Sequence, residues 1–417
     1  MHFTIKPVSF TCNLECDYCF YLPKGEEQGM LNKGIMSDEV LEAFIPRYIQ
    51  ECPSDHVLFT WQGGEPLLAG RKFFEKAFAL QSQYANGKVI ENAIQTNATL
   101  IDDKWCELFL KHKILLGVSI DGPAQMHDKY RHSKKGGGSH SEVMQGIELL
   151  KKHGVEFNTL TCINESNYRH PLEVYKFLKD IGSTFMQFSE VIETNPENTD
   201  FDNIPQSFEP KPFSLPAKGY GEFMSAIFLE WVHNDIDKIN IRQFESLISN
   251  VLGLGHLSCV FENRCPDNFV LEANGDIYEC DQAVYPKYRL ANILDIEKAD
   301  AMPAIRCQVD GADPTAATAT ATCSLKDLKA SRLSAHKLKL SADCKECKYL
   351  SYCNGGCIKH RIVNVTGVSK TYFCEGYKQL FETMLPYLNA MVYLENQKIP
   401  YRAIKQIAPQ IAAGVKK

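Results

Sequence analysis

Cysteine spacing constrains this chain more than any other feature. Cys12, Cys16 and Cys19 form a C-x3-C-x2-C array within one short stretch. Far along the chain come Cys259, Cys265 and Cys280, with Gly275 between the last two. Cys344-x2-Cys347-x5-Cys353-x3-Cys357 follows, and then Cys374. Eleven of the sixteen cysteines therefore stand at ligand-like spacings. The opening residues Met1-His2-Phe3-Thr4-Ile5-Lys6-Pro7 show neither the apolar run nor the small-residue cleavage site of a secretory signal. No apolar run is long enough to span a bilayer. The expected location is cytoplasmic, where clustered thiols mean metal or redox chemistry more often than disulfides.

Three close thiolates can ligate three irons of a 4Fe–4S cluster and leave the fourth iron open to a cofactor or substrate. A zinc ion would want a fourth Cys or His nearby, and His2 and His56 stand at no motif spacing. The eight later cysteines are the number needed for two fully ligated 4Fe–4S clusters. By spacing alone they would equally serve two zinc ions. Gly275 suits a left-handed turn that would bring Cys265 and Cys280 together. Cys52, Cys106 and Cys162 read as buried or half-buried free thiols. Cys307 and Cys323 bracket the Ala/Thr-rich stretch at 312–322, which reads as a surface insertion; neither is assigned a role.

The first half alternates β-branched runs with amphipathic stretches. Strands are expected at 3–7, 56–61, 89–94, 114–120, 155–162 and 184–189. Helices are expected between them at 37–51, 71–84, 102–112, 141–153 and 171–181. Ser37 is a candidate N-cap, with Asp38 and Glu39 at the positive end of the helix dipole. Six strands alternating with helices predict a parallel α/β sheet, a barrel or part of one. Ligands in such folds sit at the C-terminal ends of the strands. A Pro/Asn/Asp-rich loop at 194–216 and helices at 217–234 and 242–254 should follow. Residues 269–278 read as a hairpin with an Asn274-Gly275 turn. The net charge of −6 lends no support to binding of nucleic acid or a membrane surface.

The triad, followed by Phe20, resembles the radical S-adenosylmethionine superfamily, in which the open iron binds S-adenosylmethionine. Gly63-Gly64-Glu65-Pro66 after the second strand, Gln95-Thr96-Asn97 after the third, and Ser119 and Asp121 at the end of the fourth match that family's order. The resemblance implies a partial (β/α)6 TIM-like barrel. It also implies cofactor contacts from Tyr18, Gly64, Ser119, Arg131 and Ile192. The later array resembles the SPASM extension of radical enzymes that act on peptides and proteins. By that resemblance Cys259, Cys265, Cys280 and Cys357 hold one auxiliary cluster, and Cys344, Cys347, Cys353 and Cys374 hold the other. The expected division is a barrel at 1–235 and a SPASM domain with C-terminal helices at 236–417, with three 4Fe–4S clusters in all.

Cys19-Phe20-Tyr21, Trp61-Gln62-Gly63-Gly64-Glu65-Pro66 and Tyr278-Glu279-Cys280-Asp281 are most similar to the anaerobic sulfatase-maturating enzymes within this group. Those enzymes oxidise a Cys or Ser in a C/S-x-P-x-R motif of a sulfatase to formylglycine. The resemblance implies Asp281 as the base, Tyr21 and Gln62 as substrate-positioning residues, and an electron donor such as flavodoxin or ferredoxin. A peptide maturase that forms a cross-link would also use three clusters. A zinc-binding interaction protein would account for the later cysteines but not for the triad with Gly63-Gly64-Glu65-Pro66. Two departures stand out: Ala98 replaces the family's usual glycine, and the 307–323 insertion is atypical.

Overall fold

Alternating burial along short β-branched segments builds one long sheet. Its strands are β1 (His2–Ile5), β2 (His56–Trp61), β3 (Val89–Thr96), β4 (Leu115–Ser119), β5 (Phe157–Ile163) and β6 (Phe185–Glu190). All six run parallel in that spatial order. The computed structural model describes residues 1–27, 34–195, 197–201, 207–295, 305–307, 321–365 and 367–415. The helices between the strands are α1 (Asp38–Glu51), α2 (Arg71–Tyr84), α3 (Asp103–Lys111), α4 (His140–His153) and α5 (Pro171–Asp180). This is the α/β partial barrel that the alternation predicts, with strand and helix ends shifted by a few residues.

Local chemistry sets the helix ends. The Ser37 side chain accepts from the Val40 amide at 3.3 Å, and Asp102 accepts from the Trp105 amide at 2.8 Å. Each side chain satisfies an amide that the first turn leaves without a helical partner. The core between α1, α2 and the first strands is aromatic: Phe3, Phe44, Tyr48, Phe59, Trp61 and Phe74 are all buried. The Trp61 indole donates to Asn92 at 2.8 Å, and Asn92 and Gln81 exchange hydrogen bonds. These bonds satisfy the polar groups that tie α2 to β2 and β3.

The sheet does not end with the barrel. β7 (Asn240–Ile241) adds beside β6, and β8 (Asn268–Leu271) pairs parallel with β1. The chain then turns at Asn274-Gly275 into β9 (Asp276–Tyr278) and β10 (Arg289–Asn292), both antiparallel. Gly275 has φ of 88°, as the hairpin reading requires. A two-stranded ladder, Ile305–Cys307 with Ala321–Cys323, flanks the Ala/Thr-rich stretch, which lies outside the described residues up to position 320.

Two further helices cover the barrel, α6 (Gly219–Asn234) and α7 (Arg242–Val251). The chain ends on the long α8 (Cys374–Asn396) and the short helix Ala408–Val415. α6 and α8 cross at Gly221 and Gly376, where a Cβ on Gly221 would lie 2.3 Å from the Gly376 carbonyl oxygen. Overpacking such a crossing costs about 1–3 kcal/mol. Gly221→Ala should therefore lower the thermal midpoint. Gly414→Ala, in open space near the chain's end, should leave it unchanged or slightly raised. Differential scanning fluorimetry of the two variants checks the contrast.

Candidate active site

The C-terminal ends of three neighbouring parallel strands converge on one region. After β1 come Lys6, Ser9 and the thiol triad; after β2 comes Gln62-Gly63-Gly64-Glu65; after β8 comes Glu272. The triad loop is stapled to the loop beyond β4 by a short antiparallel ladder, Leu14–Cys16 with Arg131–Ser133. Gly64, at φ 52°, accommodates the loop's close approach: a Cβ there would lie 2.0 Å from the Thr11 carbonyl oxygen. Glu65 is fully buried and ties three segments together. Its amide donates to the Thr11 carbonyl at 2.9 Å. Its carboxylate accepts from the Leu67 amide, the Thr96 hydroxyl and the Asn97 amide at 2.7–3.0 Å. Burial pushes its pKa up to about 7, against the pull of those bonds.

Cys12, Cys16 and Cys19 lie close enough for their charges to interact. Burial pushes the Cys12 thiol up to about 11 and Cys16 higher still. Neither ionises readily near neutrality by itself, whereas a bound metal deprotonates a coordinating thiol outright. Among the described residues no three His, Cys, Asp or Glu side chains close on a point suited to one metal ion. Cluster thiolates each take a separate iron, so an all-thiol set of this spread suits an iron–sulfur cluster.

Beside the triad, Tyr18 and Arg131 meet at Asp121. The Tyr18 hydroxyl donates to Asp121, and Arg131 donates to both carboxylate oxygens at 2.9 and 3.1 Å. The guanidinium lies 5.4 Å from the Tyr18 ring centroid and approaches the Cys162 sulfur at 3.8 Å. Ser119, at the end of β4, accepts from Gln95 at 2.9 Å. Ile192, just after β6, is buried and lines a cleft with Phe20, Lys24, Glu193, Tyr285 and Lys359. The residues that resemblance assigns to the cofactor thus all lie on the loops or ends of this one rim.

Cys280 and Asp281 reach the same rim from the β8–β9 hairpin. Cys19 and Phe20 pack on Tyr21, Val270, Tyr278 and Val284, which joins the triad loop to that hairpin. Asp281 is ion-paired with Lys6. The Lys6 ammonium lies 4.4 Å over the Tyr21 ring, and the Tyr21 hydroxyl donates to Glu272. Ser9 donates to the other Glu272 oxygen at 2.5 Å. Burial alone would raise Asp281, but Lys6, then Lys24 and Lys359, outweigh it and hold the carboxyl below the usual aspartate range. Lys24, 3.0 Å from the Gln282 carbonyl, is pulled down to about 8 by burial and by Lys359. The Gln62 amide donates to the Ile5 carbonyl at 2.9 Å, which places that residue at the end of β2 beside the triad strand. Lys6, Glu272, Lys24 and Lys359 escape a sequence reading. They share no motif; the pairing of β8 with β1 brings Lys6 and Glu272 together, and Lys24 and Lys359 reach the Asp281 carboxylate from other segments.

Several of the eight later cysteines lie near one another. Cys259 and Cys357 interact electrostatically with each other and with both Cys265 and Cys280. Cys353 and Cys374 interact with Cys344, and Lys378 feels both Cys374 and Cys347. Cys52 and Cys106 are buried and Cys162 partly so, all as free thiols.

The radical SAM superfamily model matches residues 7–178. A serine-type anaerobic sulfatase-maturating enzyme of Bacteroides thetaiotaomicron is 38% identical, covering 98% of this chain and 95% of that protein. A cysteine-type anaerobic sulfatase-maturating enzyme of Clostridium perfringens is 34% identical, covering 92% and 96%. Native anSMEcpe, solved with bound AdoMet and the Cp18Cys peptide, superposes with a TM-score of 0.77. It is 32% identical, with 94% of this chain and 98% of that chain covered.

Two outcomes follow from this geometry. Asp121 has a depressed folded pKa. It therefore stabilises the fold above its unfolded value near 3.9, and that contribution is lost as pH falls through the folded value. Asp121→Asn leaves Arg131 buried without its counter-charge, a loss of about 3–5 kcal/mol at neutral pH. Urea unfolding should show the gap from wild type narrowing below about pH 4. Ala98, where the family usually has glycine, sits at φ 62°, a left-handed conformation that costs a non-glycine residue about 1–2 kcal/mol. Ala98→Gly should raise the thermal midpoint, unlike most core substitutions, as checked by calorimetry.

Proposed function

This chain belongs to the anaerobic sulfatase-maturating enzymes of the radical S-adenosylmethionine superfamily, and we propose that it oxidises a Cys or Ser side chain of a sulfatase to formylglycine. The observation that carries the reading is the placement of Asp281. It follows Cys280 in the chain, yet its carboxylate is paired to Lys6, at the end of the strand that leads into Cys12, Cys16 and Cys19. A proton acceptor, a candidate auxiliary ligand and the radical-cluster loop therefore share one rim.

The chain takes a 4Fe–4S cluster and S-adenosylmethionine at the barrel. We assign Cys12, Cys16 and Cys19 to that cluster, and Tyr18, Gly64, Ser119, Arg131 and Ile192 to the cofactor. Two further clusters are assigned to the Cys259/Cys265/Cys280/Cys357 and Cys344/Cys347/Cys353/Cys374 sets. The barrel is taken as residues 1–235 and the auxiliary-cluster part as 236–417. When bound, these groups supply a radical that removes one Cβ hydrogen atom from the substrate and an acceptor for the one electron that leaves next.

The chain's own residues handle the proton. Loss of the Cβ hydrogen acidifies the adjacent S–H or O–H, and Asp281, kept ionised by Lys6, accepts that proton. Lys24 and Lys359 hold the carboxylate ionised before the substrate arrives, so the base is ready without a change of solvent pH. The losses of hydrogen atom, proton and electron sum to a two-electron oxidation at Cβ, giving the aldehyde from serine or the thioaldehyde, hydrolysed to it, from cysteine. Tyr21 and Gln62 line the approach, and Glu272 fixes the Tyr21 hydroxyl. A C/S-x-P-x-R peptide is the substrate, a flavodoxin or ferredoxin supplies electrons, and the reducing cytoplasm keeps the eleven ligand thiols available.

Asp281→Asn tests the assignment. It keeps the shape of the site but cannot take the proton, and loss of a general base costs about 10²–10⁴-fold. Formylglycine yield, read by mass spectrometry under anaerobic conditions, should fall by that factor while 5′-deoxyadenosine still forms. Wild-type formylglycine yield would remove Asp281 from the mechanism. Parallel loss of both products would assign it a structural role instead.

A further inference from the structure

Arg361 is one of the most completely buried side chains in the protein, 1% exposed. Its hydrogen bonds all go to backbone carbonyls: Gly355 at 3.0 Å, Lys337 at 2.9 Å, Lys339 at 3.0 Å and Asn354 at 3.0 Å. These occupy four of its five N–H groups but do not balance its charge, and no carboxylate pairs with it among the described residues. A buried cation without a counter-charge costs several kcal/mol, so a fold that retains one has an anion to set against it.

The candidates are thiols of both sets. Arg361 interacts electrostatically with Cys265 and Cys357 from one set and with Cys344 and Cys353 from the other. Burial pulls its pKa down and those thiols push it back up. Two of its four backbone bonds, to Asn354 and Gly355, fall on the segment that joins the two sets. Asn354, Gly355 and Gly356, between Cys353 and Cys357, have φ of 46°, 77° and 68°, three left-handed residues in succession. A Cβ on Gly355 would lie 2.6 Å from the Arg361 guanidinium, so glycine there lets the cation close onto the link.

We propose that Arg361 is the shared counter-charge of the two auxiliary clusters, a buried guanidinium that stabilises the reduced state of both and so sets how readily they accept the substrate's electron. The inference rests on the assignment of two clusters to the eight later cysteines. A cluster held by four thiolates is anionic and gains one more negative charge when reduced. A fixed cation in a low-dielectric site favours that reduced form. One cation that interacts with both sets raises both potentials together, and its four carbonyl bonds hold it in place through the redox change.

The test uses the full chain, reconstituted anaerobically, with Cys12, Cys16 and Cys19 changed to Ala so that only the auxiliary clusters report. Iron and acid-labile sulfide are counted first, and about eight irons are expected. Four or fewer would defeat the two-cluster assignment itself and the inference with it. Potentiometric titration followed by electron paramagnetic resonance then compares Arg361, Arg361→Gln and Arg361→Lys. Removing the charge should lower the reduced-to-oxidised ratio of both clusters about tenfold at the parent midpoint, about 59 mV for a one-electron couple. Lysine should hold both potentials near the parent's. An unshifted Gln variant with full iron, a shift in one cluster alone, or equal shifts in the Gln and Lys variants would each overturn the proposal. If the Gln variant loses its iron, the Lys variant decides: retained clusters at parental potentials support the shared charge, and lost or lowered ones refute it.

Discussion

The position of β1 organises the rest of the molecule. Phe3 and Ile5 are fully buried, and the strand is paired in parallel on both sides, to β2 and to β8. Parallel neighbours send their following loops to the same edge. The thiol triad, the Gly63-Gly64-Glu65-Pro66 loop and Glu272 therefore reach one rim, although more than two hundred residues of chain separate the first from the last. The β8 pairing, with the Lys6–Asp281 ion pair and the packing of Tyr21 on Val270 and Tyr278, fixes the hairpin bearing Cys280 and Asp281 to the barrel.

Charge is the second organising term. The rim and the region below it bury cations and thiols that a low-dielectric interior tolerates only in combination. Arg131 is balanced by Asp121, and Lys6 by Asp281. Lys337, almost fully buried, donates to the Cys259 carbonyl at 2.6 Å, beside the first auxiliary set. Arg361 donates to the Asn354 and Gly355 carbonyls, between Cys353 and Cys357.

Much of the barrel was legible because helix and strand periodicities are local. Ser37, Asp102 and Gly275 act as their residue types suggest. The triad and the later run of eight cysteines were legible as metal-ligand spacings, whereas the division of those eight into two sets came only from the family resemblance. The pairing of β8 with β1 was not, because a four-residue strand carries no mark of a neighbour so far away in sequence. Lys6, Lys24, Glu272 and Lys359 were invisible for the same reason: each is an ordinary residue until the fold places it around Asp281. Ala98 was legible as a departure, and the left-handed backbone gives that departure a physical meaning. Arg361 lies four residues beyond Cys357 at no motif spacing, and its significance comes only from complete burial.

The central claim is that one rim joins radical formation to oxidation of a sulfatase side chain. The most direct test is an anaerobic reaction of the reconstituted chain with S-adenosylmethionine and a C/S-x-P-x-R peptide carrying deuterium at Cβ of the Cys or Ser. The structure predicts deuterium in the 5′-deoxyadenosine and an aldehyde at that same side chain, both read by mass spectrometry from one tube. Unlabelled 5′-deoxyadenosine, or a peptide that leaves without the aldehyde, would contradict it.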